Sequence, residues 1–152
     1  MNSAIALKAA DFALYIDKEL GVSPWLLVAQ ERVDQFAAIA GDQQWIHTNP
    51  ERAAVESPFG GSIAHGYLII ALAPQFMDQI FTVVDSRMGV NRGFDSLRFI
   101  SPLKVGDKLR LRVTVMAVTA QADYVDVKYQ LHFEAENYQR PVCVAELLKR
   151  WY

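Results

Sequence analysis

Residues 60–73 read Gly-Gly-Ser-Ile-Ala-His-Gly-Tyr-Leu-Ile-Ile-Ala-Leu-Ala, a glycine-rich turn that leads directly into an apolar segment. The apolar residues at 67–73 indicate a helix with apolar side chains on nearly every side. Such a helix must be covered by the rest of the protein on most sides. Pro74 is expected to kink or end it, because proline has no backbone N–H to donate. We therefore predict one buried helix around which the chain folds.

The second half of the chain has the two-residue period of β-strands. Apolar residues alternate with polar or charged residues over 108–115 and 125–134, which predicts two long strands with one solvated face each. A hairpin turn and two more strands are predicted over residues 119–123, 88–99 and 142–151. Antiparallel strands after an early buried helix predict a single α+β domain, residues 1–152, in which the sheet wraps the helix.

The first half of the chain has shorter elements. Apolar side chains at four-residue steps predict a short helix over residues 10–20, and the apolar run at 24–29 predicts a first strand. Residues 33–40 have helical spacing and are followed by Gly41, which is typical of a helix end. Asn49 stands immediately before a proline and an acidic residue, which predicts the start of another helix.

Composition narrows the class of protein. A chain of 152 residues is the size of one ordinary domain. With 52% hydrophobic and 21% charged residues, we expect a ligand channel or a subunit interface, and hence an oligomer. A net charge of −2 does not favour nucleic-acid binding, and the longest apolar run is shorter than the ~20 residues that span a membrane. With Cys143 as its one cysteine and no basic N-terminal leader, the chain is expected in the cytoplasm, without an internal disulfide.

Candidate chemistry lies on the short segment 41–50, which carries Asp42 and His47. A carboxylate and an imidazole can act as an acid/base pair. The backbone N–H of Gly66, at the start of the predicted buried helix, can stabilise developing negative charge. Taken alone, an Asp after a glycine is more often a turn residue, and a lone histidine more often packs or caps. The spacing leaves open which of the two takes a proton and which gives it.

At this point the sequence resembles a known family, the MaoC-like dehydratases or (R)-specific enoyl-CoA hydratases, and within it the nodulation-protein-N-like branch. The matching residues are FAAIAGD at 36–42, His47, NPERA at 49–53, GGSIAHG at 60–66, NRGF at 91–94, LRF at 97–99 and VGD at 105–107. The resemblance implies a hotdog fold, an antiparallel sheet wrapped around a long central helix. It also implies a homodimer with joined sheets.

The resemblance further implies hydration of trans-2-enoyl-CoA, or the reverse dehydration of a 3-hydroxyacyl thioester carried by coenzyme A or a carrier protein. Asp42 and His47 would activate water, and the Gly66 N–H would hold the enolate oxygen. Ser62 would either orient Asp42 or cap the next helix. Further candidate substrate contacts are Trp45, His65 and Arg92. No cofactor or metal is expected.

The chain departs from the family pattern at two places. Gln44-Trp45 stands where many members have Asn-Pro, so that the length of the acyl chain cannot be carried over, and Asp95 stands where the branch usually has asparagine. Three alternatives remain open on the sequence. They are a hotdog acyl-CoA thioesterase, a non-catalytic acyl-binding subunit and a metal site of Asp42, His47 and His65, whose spacing matches no metal motif.

Overall fold

The largest element of the fold is an antiparallel sheet, seen in a computed structural model that describes residues 4–152. The strands are β1 (Ile5–Leu7), β2 (Lys18–Val22), β3 (Leu26–Leu27), β4 (Phe81–Val83), β5 (Gly89–Phe99), β6 (Lys108–Ala120), β7 (Val125–Ala135) and β8 (Cys143–Trp151). The main sheet has the order β2-β6-β7-β8-β5, and β3 also pairs with β6. A separate parallel pair joins β1 to β4. Within residues 4–152, β5 pairs only with β8 and so forms one edge of the sheet.

Most of the helices occur in the part of the chain that connects β3 to β4. They are α1 (Gln30–Ala40), α2 (Trp45–Thr48), α3 (Pro50–Glu56), α4 (Gly66–Ala71) and α5 (Ala73–Ile80), with a 3-10 helix at Ala9–Tyr15. The arrangement is the α+β hotdog fold that the resemblance implied. Among residues 4–152 there is no helix with the length and apolar character that crossing a bilayer requires.

The central helix consists of two segments instead of one. Segment α4 ends at Ala71, Leu72 separates it from α5, and Pro74 lies in the first turn of α5. Because proline cannot donate a backbone hydrogen bond, the prediction of a kink or end at Pro74 is confirmed, and the break falls two residues earlier. One face of α4 is open in the single chain, where Tyr67 is 73% exposed. The expected cover on most sides is therefore incomplete in the single chain.

The core lies between the central helix and the inner face of β6 and β7. Alternating side chains of the two strands are fully buried, among them Leu111, Val113, Leu131 and Phe133. Phe76 of α5 packs edge to face on Phe133, with 6.3 Å between ring centroids. The predicted two-residue period of these strands is confirmed, and it is this face that holds the helix against the sheet.

The prediction of a helix over residues 10–20 is wrong in its second half. The 3-10 helix ends at Tyr15, Asp17 has a left-handed φ of 60°, and β2 follows. Gly21 lies inside that strand. A Cβ there would lie 2.6 Å from a methyl carbon of Ile80, so glycine permits β2 to approach α5 closely. The predicted strand at 24–29 is reduced to the two residues of β3.

The two helix boundaries that frame the candidate chemistry are confirmed. Gly41 follows α1 with a left-handed φ of 73°, which suits glycine. At the start of α3, the Asn49 side chain accepts a hydrogen bond of 3.0 Å from the Arg52 backbone N–H. Asp42 and His47 are therefore held on a short segment between two fixed helix ends. The strands predicted over 88–99 and 142–151 are confirmed as β5 and β8 within one residue at each end.

Candidate active site

The segment that carries Asp42 and His47 is fixed by the start of α1. The Gln30 side-chain amide donates to the His47 backbone carbonyl at 2.6 Å and to the Asp34 carboxylate at 2.8 Å. The short helix α2 is thereby attached to α1, and His47 points inward with 6% of its surface exposed. Asp42 is half-buried, and its carboxylate contacts the Gln44 backbone N–H at 3.4 Å, which is long for a turn contact.

The imidazole of His47 has one nitrogen committed to the backbone. Nδ1 lies 2.6 Å from the Ile63 carbonyl oxygen, and a carbonyl can only accept, so Nδ1 carries the proton. In the neutral ring, Nε2 then has a free lone pair. Burial lowers the pKa of His47 below its ordinary value, and nearby His65 lowers it further, while the Ile63 contact and Asp42 oppose the shift. The structure therefore favours a neutral His47 that can accept a proton at Nε2.

His65 contacts both candidate catalytic residues. It immediately precedes α4 and has only 2% of its surface exposed, and its Nε2 donates to the Asp42 backbone carbonyl at 3.0 Å. Its ring stacks on the ring of His47, with 3.8 Å between centroids, and Phe36 packs against it at 5.2 Å. Its Nδ1 is buried without a hydrogen-bond partner among residues 4–152.

Asp42, His47 and His65 therefore form one cluster. A carboxylate oxygen and one nitrogen from each ring all lie within 4.8 Å of one another. Because the two rings stack at an interplanar angle of 27°, their lone pairs lie in nearly parallel planes, whereas a shared metal ion needs lone pairs that converge. The arrangement suits proton transfer better than metal binding.

Gly66 and His47 line a common cavity of about 320 Å³. Its other walls are apolar and include Phe59, Ile69, Phe99 and Leu103. The first α4 amide that bonds backward is that of Ile69, to the His65 carbonyl, so the Gly66 N–H has no backbone acceptor within the described residues. A Cβ on Gly66 would lie 2.9 Å from the Phe99 ring, so glycine allows the aromatic wall to approach the helix start.

The other site residues predicted from the sequence do not make the contacts expected of them. Buried Ser62 has no hydrogen-bond partner for its hydroxyl in the described part of the chain, so it neither orients Asp42 nor caps α4 there. Trp45 lies under the guanidinium of Arg52, 4.4 Å from ring centroid to Cζ, and is not among the residues that line the cavity. Arg92 contacts Asp126 at 3.3 Å and lines a different cavity. A substrate role for Trp45 or Arg92 has no support within one chain.

Asp95, the residue that departs from the branch pattern, lies on β5 and pairs with Lys128 at 2.7 Å. Its charge is therefore neutralised outside the cavity. Sequence reasoning missed the support that Gln30 and the Ile63 carbonyl give to His47. Neither has a sequence signal, because a single polar side chain or a backbone group leaves no pattern.

A sheet wrapped around a central helix, with an acid/base cluster at the helix start, defines a hotdog-fold enzyme. Residues 11–136 match the model of the MaoC like domain. The chain belongs to the MaoC-like dehydratase family, and it is a hydro-lyase. The expectation drawn from the segment 36–66 is thus confirmed at the level of the family.

Two curated relatives and one solved structure illustrate the match. The chain is 37% identical over 143 residues to 3-hydroxyacyl-thioester dehydratase Z of Mycobacterium tuberculosis, covering 93% of this chain and 94% of that protein. It is 40% identical over 141 residues to nodulation protein N of Rhizobium leguminosarum bv. viciae, covering 91% and 88%. The (R)-hydratase from A. caviae involved in PHA biosynthesis superposes with a TM-score of 0.72 at 22% identity, over 88% of this chain and 94% of that one, and shows the shared fold.

Proposed function

We propose that this protein catalyses the (R)-specific hydration of trans-2-enoyl thioesters of coenzyme A or a carrier protein, or the reverse dehydration, in the cytoplasm and without a metal or redox cofactor. The observation that carries the proposal is the cluster of Asp42, His47 and His65 within 4.8 Å, beside a cavity that His47 shares with Gly66. The apolar walls of that cavity suit an acyl chain.

In this proposal His47 is the base. Its free Nε2 takes a proton from water while the water oxygen bonds to C3 of the enoyl thioester. The electrons of the C2–C3 double bond move toward the thioester carbonyl, and the Gly66 N–H holds the resulting enolate oxygen. The Asp42/His47 pair then returns one proton to C2. A donor of this kind typically contributes on the order of 10²–10³ in rate.

His65 acts through its two neighbours in this scheme, as a positioning residue. Its bond to the Asp42 carbonyl fixes the backbone that carries the carboxylate, and its ring fixes the plane of the His47 imidazole. This role differs from the substrate contact for which His65 was a candidate, and the 2% exposure of the side chain supports it.

The test is a spectrophotometric assay of enoyl-CoA hydration with purified protein, using crotonyl-CoA and longer chains. Wild type should hydrate at least one chain length, and Asp42→Asn and His47→Gln should each lower kcat by ~10²–10⁴-fold. His132→Gln is the matched control and should retain full activity, because His132 lies on the face of β7 that points away from the buried core. Release of free thiol without hydration would indicate a thioesterase instead, and binding without turnover would indicate an acyl-binding subunit.

We further propose a homodimer joined at β5. This edge strand exposes Val90, Phe94 and Phe99 at 42%, 42% and 48%, and Tyr67 on α4 is nearly uncovered. Exposed apolar residues beside an unpaired strand edge are a favourable site for a second copy. Light scattering should give the mass of two chains, and Phe94→Asp should shift the protein toward monomer.

A further inference from the structure

A lysine is buried on the inner face of the sheet. In β8 the inward side chains alternate as Cys143, Ala145, Leu147 and Lys149, and Lys149 is only 9% exposed. An ammonium group at a core position is unfavourable unless something compensates its charge. The ammonium group of Lys149 makes no hydrogen bond or ion pair with any residue from 4 to 152. Its Nζ lies 4.5 Å from the centroid of the Trp151 ring. A cation–π contact compensates only part of the cost of burial.

The lysine lines a second cavity of about 220 Å³, which we call the distal cavity. Asn91, its cross-strand neighbour on β5, lines the same cavity. The other walls are mostly apolar side chains of the central helix and the sheet, among them Ile70, Pro74, Met77, Phe94 and Leu147. The distal cavity is therefore a mostly apolar space with a lysine and an asparagine among its lining residues. Burial lowers the pKa of Lys149, and Asp78 opposes the shift.

The distal cavity follows the candidate active-site cavity along the same helix and strand. Ile69 of α4 lines the active-site cavity, and the next residue, Ile70, lines the distal cavity. On β5 the corresponding residues are Phe99 and Phe94. They pair with Cys143 and Leu147 of β8, four residues apart, so that they lie about 13 Å apart at a rise of ~3.3 Å per residue. The distal cavity is smaller than the pockets that usually hold a whole ligand. Its size fits the far end of a chain whose reactive end lies at His47.

We infer that the distal cavity binds the far end of the acyl chain and that Lys149, with Asn91, selects chains that end in a carboxylate. The substrate class is then an ω-carboxyacyl thioester, the monothioester of a dicarboxylic acid. The alkyl part contacts the apolar walls, and the two carboxylate oxygens accept hydrogen bonds from the ammonium and the amide. This inference rests on the proposed hydratase function and specifies its substrate.

The test compares hydration of plain and ω-carboxylated trans-2-enoyl-CoA at matched chain lengths, as the ratio of the two kcat/KM values. In wild type the ratio should favour the carboxylated substrate at one chain length by on the order of 10- to 100-fold, the usual effect of a hydrogen bond to a charged group. Lys149→Met should abolish the preference. Lys108→Met, whose lysine is about half exposed beside Glu136, is the control and should retain it.

The inference is overturned if no chain length shows the preference, or if Lys149→Met keeps it. Calorimetric titration with an alkyl carboxylate and the matching alcohol separates this result from failure of the hydratase proposal. If neither thioester is hydrated, that proposal fails. Even then, the distal site is supported if the wild type binds the alkyl carboxylate more tightly than the alcohol and Lys149→Met loses this difference. If the wild type shows no such difference, the distal site is refuted. Circular dichroism should show folded Lys149→Met, because the variant removes a buried charge and keeps an apolar side chain.

Discussion

Replacement of His65 by leucine tests whether this residue organises the catalytic cluster. The change removes the bond of 3.0 Å to the Asp42 carbonyl and the ring that stacks on His47 at 3.8 Å. It also removes Nδ1, a buried acceptor without a partner among residues 4–152. Loss of one hydrogen bond costs about 0.5–1.5 kcal/mol, and loss of an unsatisfied buried group gains about 1–3 kcal/mol. The variant should therefore stay folded.

The kinetic effect should fall on kcat instead of KM, because His65 is not among the residues that line the active-site cavity. A lost positioning bond of about 0.5–1.5 kcal/mol corresponds to roughly a 2- to 13-fold lower kcat. His65 also contributes to the lowered pKa of His47, so the acidic limb of the pH profile of kcat/KM should move to higher pH in the variant.

The assay is enoyl-CoA hydration measured from acidic to neutral pH in wild type, His65→Leu and His65→Gln. Glutamine can keep a donor for the Asp42 carbonyl and should recover part of kcat. An unchanged pH profile together with full kcat in His65→Leu would refute the positioning role. A loss confined to KM would refute it as well and return His65 to the substrate-binding role.

Three further outcomes are expected. Gly66→Ala should lower kcat, because its Cβ would lie 2.9 Å from the half-exposed Phe99 ring and would force this wall of the active-site cavity to move. Phe99→Leu in the same chain should recover part of kcat, and no recovery would contradict the contact. The pKa of His47 is lowered in the folded state, so that the unfolded chain binds more protons just below pH 6.5. Stability to urea should therefore decrease as the pH is lowered below 6.5, and His47→Gln should make this decrease smaller. Phe76→Ala should cost about 3–5 kcal/mol in urea denaturation, because it empties the space beside Phe133; a cost below ~1 kcal/mol would contradict the described core.

Sequence patterns predicted the elements whose causes are local. The alternation in β6 and β7, the glycine after α1 and the cap at Asn49 act within a few residues, so they are visible in the chain itself. The prediction over residues 10–20 failed because a four-residue step is a weak signal over so short a segment. Close packing of Gly21 on Ile80 favours a strand there, and that contact joins residues far apart in sequence.

For the candidate site, too, some features could be predicted from the sequence and others only from the structure. Residue type and spacing by themselves predicted an α+β domain and the acid/base candidates Asp42 and His47, while the motifs over residues 36–66 identified the family by resemblance, and the resemblance implied the hotdog fold. Only the tertiary structure decided which nitrogen of His47 is free, that His65 contacts both residues, and that Lys149 lies buried at a second cavity. Those facts depend on contacts between distant segments, whose geometry is fixed only when the helix packs on the sheet.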